Sequence, residues 1–310
     1  MRIVMALGGN ALLQKDQPPE AEVQWQNIVG AARAIAHIAD DNELIITHGN
    51  GPQVGILAMQ AENYQGVRPY PLDILDAESE GMLGYQIEQA LINAIPEREV
   101  VAVLTQVLVD ENDNAFKNPG KPIGPFYQKT ERPRLEEQYG RDLVETANGL
   151  RRVVPSPQPK QIIELSAIRL LVEHGMIVVC NGGGGIPVVR DSSGSIRGVA
   201  AVVDKDLSSA LLATLLEADS LLLLTNVDAV YRDWGEEKAG PIRQATIDEL
   251  RTLSFEEGTM APKVAAACQF VETTGKCAYI GHLNRINEII IGRSGTKIVP
   301  VDQGQSAFVS

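Results

Sequence analysis

Five short apolar runs each stop at a turn rich in glycine, asparagine or aspartate, and helical patterns lie between them. RIVMAL (residues 2–7) runs into Gly8-Gly9-Asn10, and ELIITH (43–48) into Gly49-Asn50-Gly51-Pro52. MIVVC (176–180) runs into Asn181 and four consecutive glycines, VAAVV (199–203) into Asp204-Lys205-Asp206, and SLLLL (220–224) into Thr225-Asn226-Val227-Asp228. A continuous apolar run, as opposed to an alternating one, is the pattern of a strand buried on both faces of a parallel sheet. Such strands alternating with helices predict an α/β sandwich. Helices are expected over residues 21–39, after Pro52, over 74–95 (ending before Pro96), 160–174, 207–217, 247–253 and 262–273. Further strands are expected over 99–109, where the run is long or broken, and in CAYIG and TKIVPV near the end.

The 310 residues, 44% hydrophobic, suffice for one large core or one with an appendage. The net charge of −13 argues against nucleic acid or an anionic membrane as a partner, but leaves room for a small anion in a locally positive site. Three cysteines, Cys180, Cys268 and Cys277, form no C-x-x-C pair, which favours a reducing compartment over a disulfide frame or structural zinc. No metal-ligand set is expected. The N-terminus lacks a signal-peptide pattern, and the most apolar stretch (210–227) carries Glu217 and Asp219 at its centre. The expectation is a soluble cytoplasmic protein.

Residues 111–159 differ in kind, with a Pro-, Gly-, charge- and aromatic-rich sequence around FKNPGKPIGPFYQKTERPRLEEQYGRD. So long an irregular stretch is expected to be a lid or protruding subdomain, a plain surface insertion being the other reading.

The glycine turns point to phosphate. Glycine reaches positive φ and admits close backbone approach, and successive N–H groups can nest anionic oxygens. The run at 182–185 is no Walker A loop, since no Gly-Lys-Ser/Thr follows. Nor is it a dinucleotide fingerprint, because G-x-G-x-x-G read from Gly182 or Gly183 ends on Pro187 or Val188. Three such turns suggest a polyphosphate and a second small anion. Lys205 opens a helix, where a cation is locally unfavourable. Lys121 lies in KPIGPF, and Lys263 follows Pro262 in TMAPKVAAA. Three lysines from separate segments could converge on a transferring phosphoryl group. They could equally be solvated surface charges, and spacing alone leaves that open. His48 is expected to be structural.

Together these residues resemble the carbamate kinase family of the amino-acid kinase superfamily. The likeness runs nearly end to end through ALGGNALL (6–13), HGNGPQVG (48–55), LTQVLVD (104–110), FKNPGKPIGPF (116–126), RRVVPSPQP (151–159), GGGGIPVV (182–189), VDKDLSSALLA (203–213) and GTMAPKV (258–264). The resemblance implies a single three-layer αβα domain with a central, mostly parallel sheet of about eight strands and a small protruding subdomain. It implies reversible transfer between ATP and carbamate, with Mg²⁺ bound through the nucleotide phosphates, in a homodimer that commonly forms ATP in catabolism. By resemblance, Lys121, Lys205, Lys263 and Asp204 are catalytic. Gly8, Gly9, Asn10, Gly49, Asn50 and Gly51 bind the phosphoryl group and carbamate. Gly183, Gly184, Thr225, Asp228 and Tyr231 face the nucleotide. Arg152 stands where some relatives have lysine, and MAPK where MLPK is common; neither change touches the three lysines. Another amino-acid kinase activity, on acetylglutamate or uridylate, and a non-catalytic nucleotide or carbamoyl phosphate sensor remain alternatives.

Overall fold

The computed structural model describes residues 1–301 apart from 14–16, 65, 141, 147–148, 236–237 and 256–259, with backbone only at 10, 11, 125, 138 and 139. From the N-terminus, β1 (Arg2–Leu7) passes through one helical turn, α1 (Gly9–Leu12), to α2 (Ala21–Ala36), β2 (Glu43–His48), α3 (Gly51–Asn63) and the long α4 (Leu72–Ala94). Then come β3 (Val100–Val103), β4 (Gln106–Leu108), β5 (Lys121–Tyr127), α5 (Arg132–Tyr139), β6 (Leu143–Thr146), β7 (Gly149–Val154) and β8 (Gln161–Ile162). The chain continues with α6 (Leu165–Glu173), β9 (Ile177–Cys180), β10 (Ile186–Arg190), β11 (Ile196–Gly198), α7 (Lys205–Leu215) and β12 (Ser220–Thr225). Last are β13 (Val230–Arg232), β14 (Gly240–Ile242), β15 (Gln244–Thr246), α8 (Ile247–Arg251), α9 (Met260–Thr274), β16 (Cys277–His282), α10 (Ile286–Ile290) and β17 (Thr296–Val299).

Eight strands form the main sheet in the order β15-β17-β16-β12-β1-β2-β9-β3. All neighbours are parallel except β16 and β17. The continuous apolar runs follow from this: alternate side chains of each central strand enter opposite cores. Val4, Ala6, Ile45, Val178, Leu221 and Leu223 pack with α6, α7, α8 and α9 on one face. Ile3, Met5, Leu7, Leu44, Ile46, Val179 and Leu222 pack with α2, α4 and α10 on the other. The result is the expected three-layer αβα sandwich. Fully burying each Leu, Ile or Val is worth about 1.5–3 kcal/mol, so these two faces carry much of the stability.

A second sheet, β11-β10-β4-β8, lies beyond the first. The chain leaves it after β4 and returns at β8, its antiparallel neighbour. Between them β5, β7 and β6 make an antiparallel three-stranded sheet. It packs on α3 through a small cluster that includes Val54, Ala58, Ile123 and Val154.

The run 99–109 is broken, one of its two expected readings: it makes two strands in two different sheets, and Thr105 between them turns its N–H to the Glu80 carboxyl and its carbonyl to Ile186. Two expectations need correction. The helix expected from residue 160 starts at Leu165, because Gln161 and Ile162 pair with β4. Residues 199–204 form no strand. The Val199 N–H donates to Pro187 O and the Val202 N–H to Pro155 O, and Ala201, Val202 and Val203 are apolar because they are buried between elements and not because they join a ladder.

Candidate active site

Because β12, β1, β2 and β9 are parallel neighbours, the turns that follow them meet at one edge of the sheet, the usual ligand side of an open α/β fold. Backbone bonds tie them together: Gly8 N–H donates to Leu224 O and Gly49 N–H to Leu7 O, both at 3.0 Å. A methyl group added to Gly49 would lie 3.1 Å from Gly9 N and 3.5 Å from Lys205 Cδ. One added to Gly184 would lie 3.2 Å from Lys205 N, and one on Gly183 would lie 2.6 Å from Asn50 Cγ. Gly8, Gly9, Gly49, Asn50, Gly183, Gly184 and Lys205 therefore form one contiguous surface, with Gly51 opening α3 beside it. The Asn10 side chain and residues 258 and 259 of the GTMAPKV motif lie outside what is described.

The glycine run follows Asn181, itself left-handed at φ 56°, and Gly183, Gly184 and Gly185 have φ of 68°, 99° and 87°. Only glycine holds three successive left-handed positions without strain. Several amides of the run are already engaged. Gly182 N–H donates to Glu80 Oε1, Gly184 N–H to Asn181 O and Gly185 N–H to Gly182 O. The run is thus shaped by its own backbone bonds and by Glu80 of α4.

Asp204 caps α7, accepting the N–H groups of Asp206 at 2.9 Å and Leu207 at 3.2 Å through Oδ1. Its other oxygen accepts from Lys121 Nζ at 2.5 Å. Asp206, in the first turn of α7, accepts from Lys205 Nζ at 2.5 Å and from Lys263 Nζ at 2.8 Å. Lysines from β5, α7 and α9 thus converge on two carboxylates, which spacing in the sequence left open. The two cations resolve differently. Burial lowers the Lys205 pKa to about 8, with Asp206 opposing and the neighbouring Lys263 charge adding to the fall. Burial works most strongly against Lys263, but Asp206 and Asp204 together hold that ammonium above its ordinary value. Both lysines hold the Asp206 carboxyl far below the usual range despite its burial.

Behind the loops lies a buried polar layer. His48 is 1% exposed, and burial lowers its pKa to about 4, so it is neutral and unsuited to carry charge at neutral pH. Burial raises the Asp76 pKa to about 8, and likewise pushes the Glu80 carboxyl well upward.

Thr225 ends β12, with its Cα 3.8 Å from where a methyl on Gly8 would lie. Asp228 and Tyr231 lie further along. The Tyr231 hydroxyl donates to Asp228 Oδ1 at 2.7 Å, and its ring meets Trp234 edge to face with centroids 5.0 Å apart. Among the described residues, neither shows a hydrogen bond or ion pair with the lysine cluster.

Sequence reasoning missed Asp206 as the shared anchor, and Asp76, Ser79, Glu80 and Thr105 as the layer beneath. A signal existed for the helix: positions 72, 75, 76, 79, 80, 83, 84 and 87 of α4 form one buried stripe, and polar residues occupy three places in it. A cleft of about 610 Å³ around Arg2, Glu43, Arg98 and Asp219 lies at the other end of the strands, away from this cluster. Among the described residues, no helix is long and apolar enough to cross a membrane.

An α/β sandwich with glycine loops and lysines gathered at the strand ends defines the class: the chain belongs to the amino acid kinase family, whose model matches residues 1–282. Within it, the chain's relatives are carbamate kinases. It is 49% identical to the carbamate kinase of Haemophilus influenzae, over 99% of this chain and all of that one. The structure of Giardia lamblia carbamate kinase bound to citric acid superposes with a TM-score of 0.90 at 37% identity, covering 96% of this chain and 98% of that one. The same enzyme bound to AMP-PNP gives 0.88 at 37% identity and the same coverage.

Proposed function

We propose that the protein is a carbamate kinase catalysing ATP + carbamate = ADP + carbamoyl phosphate, running in catabolism toward ATP. The observation that carries this reading is the convergence of Lys121, Lys205 and Lys263 on Asp204 and Asp206 beside the glycine loops. In the carbamate-forming sense, the β-phosphate oxygen of ADP attacks the phosphorus of carbamoyl phosphate. The new P–O bond forms as the bond to the carbamate oxygen breaks, and carbamate leaves as an anion. No proton need move, which suits a site whose nearby histidine, His48, is buried and neutral. The difficulty is charge, since two anions must meet, and fixed cations and N–H groups offset it as it develops.

We assign Lys205 and Lys263 to the transferring group and nucleotide phosphates, Lys121 to the carbamoyl phosphate side, and Asp204 to orienting them. Gly8, Gly9 and Asn10 face the phosphoryl group, and Gly49, Asn50 and Gly51 the carbamate. Gly183, Gly184 and Thr225 line the nucleotide side, with Asp228 and Tyr231 toward the nucleoside. The segment 111–159 serves as a lid that brings Lys121 to the site. Among the described residues, no group of three His, Cys, Asp or Glu could hold a metal. Mg²⁺ enters as part of the nucleotide substrate, held by phosphate oxygens. The protein works as a cytoplasmic homodimer. ATP formation from ADP and carbamoyl phosphate, followed by a coupled assay, tests the reading. No ATP from these substrates rejects it in favour of a sensor or another amino-acid kinase.

Two results are expected if the lysines have these roles. Lys205 must be charged to act, so kcat/KM, which reports the free enzyme, is full below about pH 8 and falls with loss of one proton as pH rises through that value. Lys205→Arg, whose guanidinium stays charged, removes that alkaline fall whatever it does to the absolute rate. A wild-type kcat/KM profile flat through this range would refute the assignment. Lys121→Ala should lower kcat/KM for carbamoyl phosphate by about 10²-fold. The ADP dissociation constant should stay within about threefold. Equal loss for both substrates would count against its place on the carbamoyl phosphate side.

A further inference from the structure

We propose that Glu80 and Asp76, one turn apart on the buried stripe of α4, are positioning residues that separately hold the two anion-facing loops of the site: Glu80 the glycine run, and Asp76 the Asn50 loop. This rests on the carbamate kinase reading for what each loop binds, and on geometry for what each carboxyl holds.

Glu80, 3% exposed, grips the glycine run from both sides. Its Oε1 accepts Gly182 N–H at 2.8 Å, and its Oε2 accepts Thr105 N–H at 3.3 Å. Thr105 in turn accepts Asn181 N–H on its hydroxyl at 2.9 Å and Ile186 N–H on its carbonyl at 2.8 Å. The entry and the exit of the run are both referred to one carboxyl group. A methyl on Gly182 would lie 2.7 Å from Glu80 Cγ, so the loop sits directly on this side chain.

Asp76, fully buried, does the same for the other loop. Asn50 Nδ2 donates to Asp76 Oδ1 and, at 2.8 Å, to Ser79 Oγ, which itself donates to Asp76 O at 2.9 Å. Asn50 then abuts Gly183, and Gly184 abuts the start of α7 at Lys205. One helix face therefore sets where both loops stand relative to the lysine.

Stability alone does not explain the choice of residues. Two carboxyl groups at i and i+4 in a buried stripe are costly to desolvate, and apolar side chains of similar size would pack there at less cost. What leucine cannot do is accept the loop N–H groups.

The test compares the intact wild-type protein with Glu80→Leu, Glu80→Gln and Asp76→Leu. It measures the dissociation constant for AMP-PNP by calorimetry, and kcat and KM for ADP and carbamoyl phosphate. Glu80→Leu should weaken AMP-PNP and raise the ADP KM about tenfold or more, as expected for loss of buried acceptors. Its carbamoyl phosphate KM should move by less than about threefold. Asp76→Leu should show the reverse pattern. Glu80→Gln keeps one acceptor but turns an NH₂ toward the other N–H, so it should fall between wild type and Glu80→Leu. Parallel changes for both substrates, or wild-type constants, overturn the proposal. If Glu80→Leu does not fold, Glu80→Gln decides: unchanged AMP-PNP affinity overturns it, and weakened affinity supports it. A wild-type protein that makes no ATP rejects the carbamate kinase reading, while the AMP-PNP series still judges the role of Glu80.

Discussion

Asp206→Asn is expected to reduce kcat/KM at neutral pH by about 10²–10³-fold, the loss seen when one stabilising donor is removed from a transition state. The reasoning starts from burial. Asp206 is 4% exposed and accepts from two ammonium groups at 2.5 and 2.8 Å. Asparagine keeps the shape and removes the charge. Lys205 and Lys263 would then share a buried site with Asp204, which is already bonded to Lys121. Leaving a buried charge without its partner costs about 3–5 kcal/mol. The cheaper outcome is for Lys205, with a pKa already lowered to about 8, to lose its proton. The variant should therefore be inactive at neutral pH for lack of a cation, and its alkaline limb should move toward acid. Lowering the pH should restore part of the rate. A variant with near-normal kcat/KM, its alkaline limb still near pH 8, would show that Asp206 does not control the charge of Lys205. Stability carries the matching sign. The folded-state pKa of Asp206 is depressed, so its contribution is complete above the ordinary carboxylate value of 3.8 and is lost as acid protonates it below.

Gly55→Ala is expected to lower kcat by about 10²-fold, the scale of an ångström-sized misplacement of a catalytic group. Gly55 lies in α3, one turn after the Gly49-Asn50-Gly51 loop, and Gly124 lies in β5, three residues after Lys121. A methyl on Gly55 would overlap the Gly124 backbone, and no flexible side chain is there to yield. The three-stranded sheet must move away from α3, carrying Lys121 away from Asp204. Overpacking of this kind also costs about 1–3 kcal/mol of stability. Gly120→Ala is the control: it adjoins Lys121, yet a methyl there meets nothing within 4 Å. Kinetics of the two variants, read beside their thermal midpoints, decide the matter. If Gly55→Ala behaves like Gly120→Ala, the glycine contact does not set the position of Lys121.

Much of the fold is legible in the sequence. The strands at residues 2–7 and 43–48 are found at those bounds, and α7 begins at Lys205 behind an aspartate cap. These features are local. An apolar run, a turn residue and a capping side chain act on neighbours in the chain, and the sequence states them directly. Where legibility fails, a nonlocal partner decides. Residues 201–203 look like part of a strand because burial between elements selects the same side chains as burial in a sheet. Residues 99–109 divide because Thr105 is claimed by Glu80, which no periodicity in the run itself could announce.

The candidate site divides along the same line. The sequence settles the kinds of group available, namely glycine turns after strands and lysines in three separate segments. That they meet is a property of the folded chain. Lys121 reaches Asp204 across 83 residues, Lys263 reaches Asp206 across 57, and Glu80 holds Gly182 across 102. Strand order brings them together. Parallel pairing of β12, β1, β2 and β9 places their ends side by side, and that order comes from which faces bury together, not from any spacing along the chain. The buried carboxyls of α4 show the same limit from the other direction. In DILDAESEGML they look like ordinary helix polarity, and only the loops packed above them show what they hold.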